Sequence, residues 1–176
     1  MDFDTQATLF TNGRILTMAD EHPHYAQALV IQYGRIAFVG DLTDALAEYP
    51  EATVHDLEGF TLMPAPIGAE GVDDGRVDAE GPGAEDPDAE GPEGLGFGAA
   101  GPLIAAGAEP YEALRDLTLA AARARGEQTV RGSLEVAKVA DLVLLAEDPL
   151  AVAPEEVAAI PVVATVRATG PGTQET

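Results

Sequence analysis

What this chain can fold into is limited first by the stretch from Gly68 to Gly98, which has almost no β-branched or aromatic residue. Between Glu70 and Glu93 it carries ten acids against one cation, Arg76, and the run DAEGP occurs at 78–82 and again at 88–92. Low hydrophobicity, one-signed charge and Gly/Pro punctuation leave nothing to offset the entropy of ordering. A flexible acidic linker over 68–101 is expected, separating an ordered segment at 1–67 from another at 102–176.

The first segment has the pattern of short β-structure. In ATLFTNGRILTM, Asn12-Gly13 stands between two apolar runs and predicts a hairpin turn, since both residues tolerate positive φ. In AQALVIQYGRIAFVG, both faces of the first run are apolar, which suits a strand between two layers, and Tyr33-Gly34 turns the chain. DLTDALAEYP predicts a short helix capped by Asp41 or Thr43 and ended by Pro50. ATVHDLEGFTLMP predicts another hairpin-like pair bent at Glu58-Gly59. In the second segment, EPYEALRDLTLAAARARG predicts a helix with Pro110 in its first turn, Leu114, Leu117 and Ala121 on one face, and Gly126 as its stop. A buried strand over Ala140–Ala146, a short helix opened by Pro154 and a last strand in PVVATVRATG follow.

Bulk numbers agree with one domain of modest size. The chain has 176 residues, 46% of them hydrophobic, only 5% aromatic, and no Trp or Cys. Disulfides and thiolate metal sites are excluded, and a reducing compartment fits. The net charge of −22 opposes binding to nucleic acid or to anionic membranes. No apolar run approaches the roughly 20 residues of a membrane span, and the N-terminus lacks the pattern of a secretory signal, so a cytoplasmic location is expected.

The segments NGRILTM…ALVIQYGRIAFVG…VHDLEGFTLMP and EALRDLTLAAARARG…GSLEVAKVADLVLLAEDPL…VVATVRATG, in this order, resemble the amidohydrolase superfamily. The branch they resemble is that of long metal-dependent hydrolases including N-substituted formamide deformylases. The resemblance covers about 1–67 and 103–169. It implies a small β-sandwich built from both chain ends, mainly β with short helices (α+β), beside a (β/α)-barrel, and divalent-metal hydrolysis of C–N bonds, usually with zinc. The barrel itself has no counterpart here, since such a barrel takes about 250 residues.

The family enters its barrel through a pattern like P-G-F-I-D-A-H-x-H, which here falls on Pro64 to Val72. Glu70 and Val72 hold the two histidine positions, and Val72 cannot ligate a metal. The family's G-K before A-D-L is Ala137-Lys138; if that glycine serves a left-handed turn, alanine costs on the order of 1 kcal/mol. Gly170-Pro171-Gly172 interrupts the hairpin that usually closes the fold.

Other candidates are weak on chemical grounds. His22-Pro23-His24 has its extended spacing spoiled by proline. His55 belongs to a strand, as a partly exposed sheet residue. The acids Asp73, Asp74, Asp78 and Glu80 lack the ligand spacing of a calcium loop. GLGFGAAG at 94–101 has neither a leading strand nor a following Lys-Ser/Thr for phosphate. Ser133 has no histidine near it in sequence. No catalytic, cofactor-binding or metal-binding residue is therefore predicted, and no cofactor is expected. The chain is expected to be a non-catalytic sandwich remnant. The alternatives are an interaction or dimerisation module, or a subunit whose barrel comes from another chain, joined through an apolar face the barrel once covered.

Overall fold

The computed structural model describes residues 6–67 and 100–167. The predicted linker lies outside these residues except for Ala100 and Gly101, which begin a helix. The fold is mixed α+β, mostly strand with short helices, as expected, and its strands form one seven-stranded sheet.

Strand β1 (Thr8–Leu16) is the axis of the sheet. Along one edge it pairs antiparallel with β2 (Tyr25–Gln32), which pairs in turn with β3 (Arg35–Gly40). The β2–β3 link is the predicted two-residue turn: Tyr33 and Gly34 have φ of 53° and 68°, the mirror-image geometry that matches strand twist. The predicted hairpin at Asn12-Gly13 does not form. Asn12 does adopt positive φ (57°), but the chain continues in one strand, and the register with β2 slips between Thr11 and Ile15. Asn-Gly serves a bulge as readily as a turn, because both need the same left-handed backbone.

The bulge has a counterpart. After helix α1 (Leu42–Glu48), β4 (Thr53–Asp56) runs parallel to Thr8–Thr11, and β5 (Thr61–Pro64) runs parallel to Arg14–Ile15. The predicted β4–β5 hairpin is thus replaced by two successive parallel pairings with β1. Glu58-Gly59 supplies the positive φ for the jog between them. The Leu57 and Gly59 amides donate to the carbonyls of Thr11 and Asn12 at 2.8 and 2.9 Å, and Arg14 N–H donates to Phe60 O at 3.0 Å. The Asp56 carboxylate accepts from the Glu58 amide and the Asn12 side chain, both at 2.7 Å, which holds it below the usual carboxylate range. Where the bulge meets the jog there is no room for a side chain. A Cβ on Gly13 would lie 2.5 Å from Leu57 Cβ and 2.6 Å from Phe60 O.

The second segment completes the sheet. Helix α2 (Ala100–Ala105) and a longer helix, α3 (Pro110–Arg115), a π turn (Asp116–Ala120) and α4 (Ala121–Ala124), precede β6 (Asp141–Leu145). A 3₁₀ turn (Pro154–Ala159) and β7 (Val162–Arg167) follow. The π turn inserts extra backbone and shifts the buried face from the predicted Leu114, Leu117 and Ala121 to Leu114, Thr118, Leu119 and Ala122. The Leu117 carbonyl accepts from Ile67 N–H at 2.7 Å, tying the end of the first segment to this helix.

Strand β6 pairs antiparallel with β5, and β7 with β6. The sheet then returns on itself. Arg35, at the start of β3, bridges Val139, with Ile36 N–H donating to Lys138 O at 2.9 Å and Ala140 N–H to Gly34 O at 3.0 Å. This closure wraps one continuous sheet around an interior of the kind expected from a sandwich. Inside lie Phe10, Ile15, Leu29, Ile31, Ile36 and Leu62 of the first segment with Leu134, Ala140 and Leu142 of the second. On the outer face of β5 and β6, Tyr111 and Leu114 pack with Met63, Val143 and Leu145. Helices of the second segment thus cover this face of β5 and β6. A third cluster, Leu9, Ala28, Val30 and Ala45, lies under α1. No helix among the described residues is long and apolar enough to cross a membrane.

Gly13→Ala should lower unfolding free energy in urea by about 1–3 kcal/mol, the usual cost of forcing atoms into a packed site. Ala at the exposed Gly59 meets no atom within 4 Å but must take a φ of +85°, so its cost comes from backbone strain alone.

Candidate functional site

The densest polar cluster is built by residues 132–138, where the chain leaves the long helix and turns towards β6. Gly132 has φ of 97°, and a Cβ there would lie 2.7 Å from Ala122 Cβ and 3.0 Å from Leu119 Cα, so glycine lets the loop lie against the helix. The next two residues point inward. Ser133 is buried, and Leu134 donates its amide to Thr17 O at 2.7 Å while its side chain joins the enclosed core. Ala137 then takes φ of 74°, the left-handed geometry that the family's glycine would supply.

Lys138 folds back over this turn. Its Nζ donates to Ser133 Oγ at 2.6 Å and pairs with the Glu135 carboxylate, which also accepts from the Ser133 hydroxyl. Burial alone would raise the Glu135 pKa. Hydrogen bonds from Lys138 and Ser133, with the charges of Lys138 and Arg123, outweigh it and hold Glu135 below its ordinary 4.5. Beside the cluster is an open cleft of about 370 Å³, lined in part by Leu119, Arg123, Gln128, Thr129, Glu135 and Lys138.

Serine beside lysine is the arrangement of some hydrolytic nucleophiles, but that chemistry needs an amine free to accept a proton. Here Lys138 is engaged as a donor by a carboxylate and by the very hydroxyl it would have to activate. Ser133 is only 2% exposed and does not line the cleft. The cluster therefore acts as a clamp on the left-handed turn. The partners of Ser133 stand two and five positions on, so the pattern S-x-E-x-x-K is the signal in the sequence that marks the clamp.

A second cluster gathers around Asp148, which is buried. Its carboxylate accepts from the Tyr25 hydroxyl at 2.9 and 3.0 Å and from the Leu150 amide at 2.9 Å, with Arg14 Nε at 3.6 Å. Burial, then the hydrogen bond and charge of Asp148, push the Tyr25 phenol up. A phenol held protonated against a carboxylate is a structural tie.

The histidines are not brought together with other ligands. His22 and His24 lie exposed in the β1–β2 loop, and His55 stacks on Phe10 with ring centroids 5.5 Å apart. Among the described residues, no group of three or more His, Cys, Asp or Glu could hold a metal ion. The donors present there do not fit the divalent metal the family resemblance implies. Glu70, Val72, Asp73, Asp74, Asp78, Glu80 and residues 94–99 lie outside the described residues.

Residues 97–168, which contain the helix, the clamp and strands β6 and β7, match the sequence model of the amidohydrolase family. The second segment is accordingly similar to the amidohydrolase family. Solved structures similar to parts of it include an uncharacterized metal-dependent hydrolase from Pyrococcus furiosus (32% identity, TM-score 0.30, 34% of this chain and 13% of that one). Others are enamidase (25%, 0.30, 35% and 16%) and the ochratoxinase of A. niger (29%, 0.30, 36% and 14%). The chain thus spans less than a fifth of the length of these proteins. No curated protein matches it.

Two measurements check the clamp. Ala137→Gly relieves left-handed strain of about 1–2 kcal/mol, against about 0.5–1 kcal/mol for the freer unfolded chain, so a net gain on the order of 0.5–1 kcal/mol is expected in urea unfolding. Because the folded Glu135 pKa is depressed, its contribution is full above its ordinary pKa and is lost as pH falls through the folded value. Glu135→Gln should therefore flatten the acid limb of a stability–pH profile below about pH 4.5.

Proposed function

We propose that this chain is a non-catalytic sandwich part of an amidohydrolase-type protein, with a structural role. The observation that supports this most directly is the pairing of its two segments into one closed sheet, which occupies the described residues without leaving a reactive centre. Ser133 and Lys138 are engaged with Glu135, Tyr25 with Asp148, and the three histidines are apart. By the family resemblance the two histidine positions at the barrel entrance fall on Glu70 and Val72. The reading includes a cytoplasmic location, supported by the cysteine-free composition.

A second reading is favoured by β7. Its neighbour among the described residues is β6 alone, and Val163, Ala164 and Thr165 are exposed along it. An edge strand of this kind can pair with another chain. On that reading the chain is a subunit or dimerisation module, and a partner bearing the barrel would supply metal-dependent C–N bond hydrolysis.

Metal analysis of the purified chain, with a hydrolysis screen over N-formyl amines, cyclic amides and N-acyl amino acids, separates these readings. The structural role predicts no stoichiometric zinc and no turnover. One equivalent of tightly held zinc together with amide hydrolysis by the chain alone would overturn it. Activity appearing only with a co-purifying protein of barrel size would establish the second reading.

A further inference from the structure

The three apolar clusters are shared unequally between the two segments. The cluster under α1 is built wholly from 6–67. The enclosed core draws eight buried residues from 6–67 and three from 100–167, and the outer cluster draws four from 6–67 and seven from 100–167. Among the described residues, then, 100–167 supplies most of the outer cluster but has none wholly its own, while 6–67 has one complete cluster and most of another. A segment without a private core gains its order from the surface it packs on.

That surface has the specificity of a binding site. Thr61, Leu62, Met63 and Pro64 meet Leu145, Leu144, Val143 and Leu142 in register. Leu62 and Leu144 face the enclosed core, while Met63 and Val143 face the outer cluster. A slip of one residue would put each side chain on the wrong face. Backbone bonds cross between the segments at Ala65–Asp141, Ile67–Leu117, Leu134–Thr17, Ile36–Lys138 and Ala140–Gly34, all between 2.7 and 3.0 Å. Polar groups cross as well: the Tyr25 hydroxyl donates to the buried Asp148, and the hydroxyl of the buried Tyr111 donates to Asp20 O at 2.9 Å. Leaving any of these unpaired in the interior costs free energy, so a partner lacking the matching groups is rejected.

We propose that 6–67 is a receptor for the 100–167 segment, able to bind it in trans without a covalent connection, so that the partner this surface fits is the C-terminal segment of a copy of this chain. The inference holds whether or not the protein is catalytic. It makes the chain a self-complementing pair: the N-terminal segment supplies the template, and the C-terminal segment folds on it.

The test begins with the full chain carrying a protease recognition sequence inserted after Gly83, folded and then cut. The expected result is co-elution of the two pieces in size-exclusion chromatography, with one cooperative melt. Separation of the pieces would overturn the proposal. The same cut made in a Leu142→Asp variant should release the pieces, because Leu142 is fully buried opposite Pro64; their continued co-elution would mean non-specific adhesion and would also overturn it. If that variant does not fold, or the inserted site resists cutting, co-expression of tagged 1–83 with untagged 84–176 gives the answer. Recovery of both pieces in equal amounts on the tag supports the proposal, and recovery of the tagged piece alone defeats it.

Discussion

The structure depends on one ladder, the four residue pairs between β5 and β6, because that is where distant parts of the chain become one sheet. Its energetic weight comes from position. Alternate residues of a strand face opposite sides, so each of these strands serves two cores at once. Leu62 and Leu142 enter the enclosed core while Met63, Val143 and Leu145 enter the outer one. The ladder also sets where the second segment can close the sheet. Once β6 is in register, the residues just before it, 137–140, are brought to the edge of β3, and the Arg35–Val139 bridge forms. Closure is a consequence of register, and the enclosed core is a consequence of closure.

The clamp at 133–138 follows from the same geometry. To reach β3 the chain has to reverse through Ala137 in a left-handed conformation that L-residues resist. The strain is held by groups on both sides of the turn, Ser133 and Glu135 before it and Lys138 after it, with Arg35 donating to Ala137 O at 2.9 Å from across the sheet. Lys138 is the one lysine of a chain with net charge −22, and it is buried. A lysine that served solubility would be expected at the surface. Its burial against a carboxylate and a hydroxyl fits an internal support.

Local signals in the sequence were legible where local geometry decided the outcome. Tyr33-Gly34 turns as its composition demands, Pro110 starts a helix that stops just before Gly126, and the strand over β6 lies within the apolar run that predicted it. The misreadings share one cause. Asn12-Gly13 and Glu58-Gly59 do supply left-handed backbone, but whether such a pair turns the chain or kinks a strand depends on what lies beside it. Here each kink answers the other across β1, a relation between residues some 45 positions apart in sequence. Likewise the π turn at Asp116–Ala120 rests on more than its own sequence: Thr118 Oγ1 donates to Leu114 O at 2.9 Å within the helix, and Ile67, from the other segment, uses the Leu117 carbonyl. The clamp's three residues stand within six positions, and its signal lies in their combination, not in any one of them.

These long-range ties bear on how the fold resists its own charge. Acids are spread along the whole sequence, so the folded chain concentrates like charge and is opposed by it at low ionic strength. The cations that the structure employs stand at joints: Arg14 beside Asp148, Arg131 beside Glu127 and Asp141, Lys138 beside Glu135. Exposed pairs of this kind contribute little by themselves. Where one partner is buried, as with Asp148 and Lys138, the pair matters through the penalty for breaking it. Asp148 with Arg14 and Tyr25 joins the two segments directly, and Lys138 with Glu135 holds the turn through which the second segment reaches β3. Few cations and many acids thus give a fold whose polar investment lies along the boundary between its two segments, where a loss of contact would expose both cores that cross it.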